Sequence, residues 1–441
     1  MGSKSIEGFS KMTKEQKLNW LNDTFFKEDT NSKEILKSFW LSNKGLQKVI
    51  DGFSENTISN FIMPFGLAPN FIIDGKEYCV PMVIEESSVV AAASAAAKYW
   101  MNKGGFKTQI LGTTKVGQVH FKWYGQPEKL KTIFFEIEKL LLENVKDLVQ
   151  NMSKRGGGIK YIELLDFTVE EENLYQLRAH FETCDSMGAN FINSVLENFA
   201  STLEDFFVDY RDLTDTERDI DIIMSILSNY TPECVVRAEV SCPIKDLGSF
   251  AKGMMAETLA EKFRVAVQIA HIDPYRATTH NKGIFNGIDA VVLATGNDFR
   301  ATEAAGHTYA ARNGKYRSLS YCTIDEGVFR FWLDIPLAIG TIGGLTSLHP
   351  LAKKSLEILG NPSAEDLMRI IASVGLAQNF AAVRSLVTTG IQQGHMKMHL
   401  INILNHLNAS ELEIAAVLKH FEDKIVSYAG VRDYLQKIRI E

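Results

Sequence analysis

Between Gly117 and about Lys245 the apolar residues repeatedly change their spacing, and this alternation constrains the fold more than any other feature of the chain. VGQVHFKWYG alternates with period two, as a half-buried strand does. Pro127 then opens a helix on which Ile133, Ile137, Leu140, Leu141 and Leu148 share one face. Gly156, Gly157 and Gly158 end it. IKYIELLDF and NLYQLRAHFET read as strands. A second helix runs from about Ala189 to Phe206, with Ile192, Val195, Phe199, Leu203 and Phe206 in register. IDIIMSIL and CVVRAEVSC read as further strands. The order β-α-β-β-α-β is a split βαβ unit, which predicts a small domain inserted into a larger one.

The 441 residues are too many for one ordinary core. Up to about Trp100 the chain reads as helices with one hairpin, FIIDGKEYCV, turning at Asp74-Gly75. Thr13 with Gln16, and Ser410 with Glu413, have the capping-box spacing. From about Ser249 the chain is helical and rich in Ala and Gly, and Gly390 to Asn408 reads as a hinge or flap. These breaks predict an α+β chain divided at 1–116, 117–245, 246–389 and 390–441. The large domain is mainly helical and in two parts, with the small domain inserted and a helical flap at the C-terminus.

The formal charge of -7 argues against a general nucleic-acid binder, which needs a basic field. Cys79, Cys184, Cys234, Cys242 and Cys322 form no CxxC pair and read as reduced thiols of a cytoplasmic protein. The first residues carry no apolar segment of a signal peptide, and Ile6 stands where a myristoylation pattern wants Ser or Thr. No apolar run reaches the roughly 18 residues of a membrane span, so no membrane association is expected.

ATTHNKGIFNG sets Lys282 among glycines and amides, and ATGND, ending at Asp298, follows an apolar, strand-like run. Alone, Lys282 reads as a surface lysine beside a turn. Arg276, His280, Asn281 and Asn286 around it make a donor-rich setting suited to a carboxylate, a phosphate or a developing oxyanion. Asp298 is a candidate partner for the lysine and also a candidate helix N-cap. Glu85-Glu86, in VPMVIEESSVVAAAS, reads evenly as first-turn acids or as a functional carboxylate. In the second case its apolar flanks would raise its pKa and make it an acid at neutral pH. DSMGAN, from Asp185 to Asn190, joins a strand to a helix, either as a plain cap or as a phosphate-binding helix start. His395, beside Gly394, is a candidate for acid–base work. There is no Walker A motif, no GxGxxG after a strand, no HExxH and no CxxC, so neither a Rossmann domain nor a metal site is expected.

Taken in order, VPMVIEESSVVAAAS, DSMGAN, ILSN, DPYRATTHNKGIFNGIDAVVLATGND, the Gly340 to Pro350 loop and GIQQGHM resemble 3-hydroxy-3-methylglutaryl-coenzyme A reductases of the soluble, prokaryotic class II branch. The resemblance spans nearly the whole chain. It implies reduction of a thioester to an alcohol by two hydrides from a nicotinamide cofactor, through a hemithioacetal and an aldehyde. It also implies a ferredoxin-like small domain that binds the dinucleotide, and a homodimer with the active site at its interface. Matched to the family's motifs, Lys282 polarises the carbonyl, Glu86 donates a proton to the aldehyde, Asp298 links the two, and His395 protonates the departing coenzyme A thiolate. Ser88, Arg276, Asn286 and Asn379 match substrate-holding positions, and Asp185, Met187, Gly188, Asn190 and Asn229 match cofactor-binding ones. Ser87 and Ser186 depart from the proline and alanine usual in this branch. Lys154 and Arg155 beside the glycines favour NADP(H), although Asp147 nearby would suit NAD(H). The expected partners are hydroxymethylglutaryl-coenzyme A, mevalonate and coenzyme A. The alternatives are the same enzyme working oxidatively on mevalonate and a non-catalytic homologue that binds coenzyme A.

Overall fold

The computed structural model describes residues 4–27, 29, 31–248, 253–388, 390, 400–401, 403–421, 424 and 426–440. Its strands, in chain order, are β1 (Phe65–Ile73), β2 (Lys76–Val83), β3 (Lys107–Ile110), β4 (Lys115–Trp123) and β5 (Gly158–Asp166). They continue with β6 (Leu174–Glu182), β7 (Ile220–Ser228), β8 (Val235–Pro243), β9 (Ser320–Asp325) and β10 (Val328–Pro336). β1 and β2 form the expected hairpin, with Asp74 at φ 49° and Gly75 at φ 86°, the left-handed pair that a tight two-residue turn requires.

The inserted unit is an antiparallel sheet in the order β5-β6-β4-β7, the ferredoxin-like order. Along β4, Val119, Phe121 and Trp123 are buried while Gln118, His120 and Lys122 stay half-exposed, the period-two pattern expected of a sheet covered on one face. The covering helices are Pro127–Asn144 and Ala189–Asp209, and Ile133, Ile137, Leu141, Ile192, Val195, Phe199 and Leu203 join the same core. Two details differ from expectation. The first helix stops at Val145, so Leu148 sits on a separate helix, Lys146–Ser153, and is exposed. The strand CVVRAEVSC does not pair in this sheet. As β8 it hydrogen-bonds to β3 and β10 in a second antiparallel sheet of order β3-β8-β10-β9, so the small sheet closes at β7 rather than at the expected boundary near 245.

The large core is built on two long helices, Pro274–Ala294 and Ala364–Val387. They cross where glycines remove side chains. A Cβ on Gly287 would meet the Val374 carbonyl oxygen at 2.8 Å, and one on Gly375 would meet Ile288 Cγ1 at 2.7 Å. Glycine weakens a helix interior, so its presence at both faces of the crossing reflects close backbone approach. Ala364–Val387 is long and apolar enough to cross a membrane, contrary to the sequence reading, but 72% of that apolar stretch is buried inside the protein, the position of a core helix. The apolar run before Asp298, read as strand-like, is the last two turns of Pro274–Ala294, apolar because nearly every side of it is buried.

Outside this core, both capping boxes form, at Thr13/Gln16 and Ser410/Glu413. Leu400, Leu404, Val417, Val431 and Leu435 make a separate small core under the last helices, Glu411–His420 and Tyr428–Ile440.

Candidate active site

Asp273 caps the Pro274–Ala294 helix, accepting from the N–H groups of Tyr275 and Arg276, and Pro274 needs no such partner. At 3.6 residues per turn Lys282 and Asn286 share an outward stripe. The same geometry divides the donor cluster expected around Lys282. His280 and Asn281 turn inward and are 1% and 0% exposed.

Glu86 lies in the turn between β2 and the helix Val89–Met101. Its Oε2 accepts from Lys282 Nζ at 2.6 Å and from Asn286 Nδ2 at 3.4 Å, across 196 residues of sequence in the first case. The glutamate keeps 38% of its side-chain surface, so a lysine and an amide, not an apolar wall, form its surroundings. Two residues on, Ser88 holds φ 76° at the N-terminus of Val89–Met101. A non-glycine residue in that region is strained and persists only where its surroundings impose it.

Arg276 is half-buried, burial depresses its pKa, and among the described residues no acid pairs with it. A half-buried guanidinium of this kind is able to take a carboxylate in a bidentate pair. Asn379, on Ala364–Val387, is 1% exposed. Its Oδ1 accepts from Ser320 Oγ at 2.7 Å, and Ser320 Oγ lies 2.7 Å from His280 Nε2. Burial, then the charges of Arg276 and His271, push the His280 pKa down to about 3, so its imidazole is neutral. Because the serine donates to Asn379, His280 Nε2 must carry the hydrogen. The chain fixes the asparagine's orientation and leaves its Nδ2 to donate elsewhere.

Among the described residues no hydrogen bond or ion pair joins Asp298 to Lys282 or Glu86. Among the described residues its carboxylate bonds to the N–H groups of Arg300 and Ala301 at 3.0 and 3.1 Å and to the Arg300 guanidinium at 3.3 Å. Burial works against its charge, but the Arg300 and Ala301 hydrogen bonds outweigh that and hold it below the usual carboxylate range. It is the N-cap foreseen from the sequence.

The helix that Asp298 caps leads to the second part of the site. Its first-turn residues Ala301 and Thr302 line a pocket with Met187, Ala189, Asn229 and Lys115. Gly188, at φ 91°, caps Ala189–Asp209, and Asn190 is exposed in that helix's first turn. The DSMGAN loop is fastened to the large domain. Asp185 Oδ1 accepts from Ala364 N–H at 2.7 Å, the start of the Ala364–Val387 helix, and Asp185 O accepts from Thr341 N–H at 2.9 Å. Gly340 donates its N–H to Asn297 Oδ1 at 2.9 Å, which ties this loop to the turn before Asp298.

Sequence reasoning missed Lys115. Its Nζ bonds to Thr183 Oγ1 and, at 2.8 Å, to Ser186 O, and burial depresses its pKa. It lines both the pocket above and a neighbouring cleft of about 380 Å³ with Gly156, Glu182, Asp185 and Glu365. A lysine at a strand start belongs to no motif; only its place in an alternating strand hinted at burial. Lys115 and Asn229 thus border one pocket at the N-terminal end of Ala189–Asp209, where a helix favours an anion. His395 and the segment around it lie outside the described residues.

The family model for hydroxymethylglutaryl-coenzyme A reductase matches residues 14–400. A 3-hydroxy-3-methylglutaryl-coenzyme A reductase of Archaeoglobus fulgidus is 37% identical over 440 residues, covering 99% of this chain and 95% of that protein. A probable reductase of the same name from Borreliella burgdorferi is 32% identical over 450 residues, covering 100% and 99%. Among solved structures, a class II 3-hydroxy-3-methylglutaryl-CoA reductase from Streptococcus pneumoniae, bound to NADPH in open conformations, superposes with a TM-score of 0.71 at 36% identity. The match covers 87% of this chain and 100% of that one.

Proposed function

The chain belongs to the hydroxymethylglutaryl-coenzyme A reductase family, and we propose that it interconverts 3-hydroxy-3-methylglutaryl-coenzyme A with mevalonate and free coenzyme A. The observation that carries this reading is the Lys282–Glu86 pair, 2.6 Å apart and open to solvent, on a helix that also carries Arg276, which forms no ion pair among the described residues. NADPH, when bound, supplies the two hydrides. The residues of the chain handle the charges and protons. Lys282 stabilises the oxyanion that forms as the thioester carbonyl is reduced. Glu86, within hydrogen-bond reach of that lysine, donates the proton that the aldehyde oxygen takes up in the second reduction. Arg276, Asn286, Ser88 and the Nδ2 of Asn379 hold the hydroxymethylglutaryl part. Asp298 acts as an ionised cap beside the cofactor pocket rather than as a bridge. The DSMGAN loop, Lys115 and Asn229 hold the nicotinamide end of the dinucleotide.

The test is consumption of NADPH in the presence of hydroxymethylglutaryl-coenzyme A, run in parallel with NADH and with mevalonate plus coenzyme A in reverse. No turnover with either cofactor in either direction leaves only the non-catalytic alternative. Preference for mevalonate oxidation favours the degradative alternative.

NADP(H) preference rests on Lys154 and Arg155, both exposed at the Gly156 turn. Replacing both by glutamate removes cations that would meet a 2′-phosphate. The KM for NADPH should then rise ~10–100-fold, the loss of one or two charge-assisted hydrogen bonds, and that for NADH far less. Equal losses with both cofactors refute the assignment.

His395 is proposed to protonate the leaving thiolate from a C-terminal flap, residues 390–441. His395→Gln should suppress reduction of the thioester while sparing reduction of free mevaldehyde, which releases no thiolate. Equal loss of both steps removes the histidine from that role. A homodimer completes the proposal, supported by Phe61, Ile62 and Leu67, apolar side chains exposed beside the Glu86 hairpin, along with a cytoplasmic location.

A further inference from the structure

Asn281 directly precedes Lys282 and points the other way, into the protein, where its amide is fully buried. Its Nδ2 donates to the Arg317 carbonyl oxygen at 2.8 Å, and its Oδ1 accepts from the Leu319 N–H at 3.0 Å. One side chain thus takes the carbonyl before Ser318 and the N–H after it, as a residue of a neighbouring parallel strand would. The segment it grips is itself held from several sides. Arg317 N–H donates to Ala310 O and Ser318 N–H to Ala270 O, both at 3.0 Å. Ser320 O lies 2.9 Å from His271 Nε2, and Ser320 Oγ joins His280 to Asn379. Residues 317–320 are therefore tied to the helices Ala256–Ile272, Pro274–Ala294, Phe299–Ala310 and Ala364–Val387. The outward side of the same helical turn has little to hold it. The Lys282 side chain is mostly exposed, and beside Gly283 a Cβ would meet only its chain neighbours and its own helix's backbone within 4 Å.

We propose that Asn281 is a positioning residue. By pairing with the backbone of residues 317 and 319 it sets the rotation of the Pro274–Ala294 helix about its axis, and so holds Lys282 Nζ at Glu86 and at the carbonyl to be reduced. It touches no reacting atom and acts through Lys282, so its kinetic consequence rests on the reductase reading. The residue type follows from the donor and acceptor it must supply together. Leucine would fill the space and leave a buried carbonyl and a buried N–H without partners, each at a cost. A carboxylate would satisfy the N–H and offer the carbonyl no donor. Rotation enough to break the pair would swing Lys282, the next residue on the helix, away from the glutamate it meets at 2.6 Å.

The test is a double-substitution cycle. Asn281→Ala alone should lower kcat for thioester reduction ~10–10²-fold, the cost of a misplaced catalytic group, with the KM for NADPH close to wild type. Made in the Lys282→Ala protein, the same substitution should cost little further, because the group it positions is already gone. Equal fold-losses in the two backgrounds refute the role, since a general loosening of the fold takes the same toll with or without the lysine. Asn281→Asp is the second variant, for the case in which the alanine protein does not fold. As a neutral acid it offers one donor and one acceptor, the pair the amide uses; as a carboxylate it has no donor for Arg317 O. Its kcat relative to wild type should therefore rise as pH falls, and a ratio that stays low and flat refutes the pairing. Any titration of His271, His280 or Tyr316, which lie along the same segment, is common to both proteins and cancels in the ratio. A third measurement needs no turnover. The NMR signal of reductively dimethylated Lys282, assigned by its loss in Lys282→Ala, should shift on Glu86→Gln in the wild type and much less in Asn281→Ala. An undiminished shift refutes the positioning role whatever reaction the chain catalyses.

Discussion

Lys282→Ala lowers kcat for thioester reduction by ~10²–10³, the cost of removing one oriented donor from a developing oxyanion, and leaves the melting temperature close to wild type. The two halves of this expectation have different causes. The Lys282–Glu86 pair is short, but the lysine keeps 59% of its side-chain surface. An ion pair that open to water adds little to stability because solvent screens it and the side chains lose freedom in forming it. Its value lies in placing a cation where charge appears during the reaction. Lys282→Arg is the informative companion. It keeps the charge but spreads it over a larger planar group, so recovery should be small. Turnover of a folded Lys282→Ala protein within about fivefold of wild type, against the ~10²–10³ expected for a lost donor, would refute the assignment.

Gly340→Ala should weaken cofactor binding ~5–150-fold, the equivalent of ~1–3 kcal/mol of overpacking, with a smaller effect on the KM for hydroxymethylglutaryl-coenzyme A. A Cβ at Gly340 would lie 2.5 Å from the Met187 nitrogen and 2.9 Å from the Asp185 oxygen. Both are backbone atoms, and both belong to the DSMGAN loop. No rotamer change relieves such a clash, so the loop itself must shift. Gly314→Ala and Gly327→Ala are poor controls because those glycines have positive φ. Gly283→Ala suits better: apart from its chain neighbours and its own helix's backbone, no atom lies within 4 Å of its would-be Cβ, and it sits in a helix. Isothermal titration with NADPH reads the result, and an affinity unchanged in Gly340→Ala would show that the loop does not need its present position.

The inserted unit was legible because its helices and strands bury one face each, so burial wrote two distinct periods into the sequence. Its far boundary was not. β8 alternates in the same way whichever sheet receives it, and only hydrogen-bond partners distinguish the two choices. The central helix was misread for the opposite reason. Gly283, Gly287 and the amides around Lys282 lower helix propensity, and its last turns are apolar on nearly every side, which removes the periodic signal. Lys282 and Glu86 were each singled out, but their meeting is a tertiary fact with no trace in local spacing. Asp298 shows the limit from the other side. Its capping role follows from its position before a helix, and the structure shows that role while directing its charge to Arg300. Lys115 and the Ser320–His280 support of Asn379 left no motif, because burial of single polar residues depends on partners far along the chain.

The Asp185 carboxylate that caps Ala364 has a wider consequence. One aspartate belongs to the loop proposed to hold the dinucleotide and also completes the first turn of the helix that carries Asn379 fifteen residues on. Losing such a hydrogen bond to a charged group costs about 1.5–3 kcal/mol, so the loop cannot drift without a penalty at the helix, nor the helix slide without a penalty at the loop. If a ligand at one end disturbs this contact, thermodynamic reciprocity requires each ligand to alter the affinity of its counterpart by the same factor. In the proposed enzyme the two substrates would then be weighed on a common beam, with Asp185 as its fulcrum.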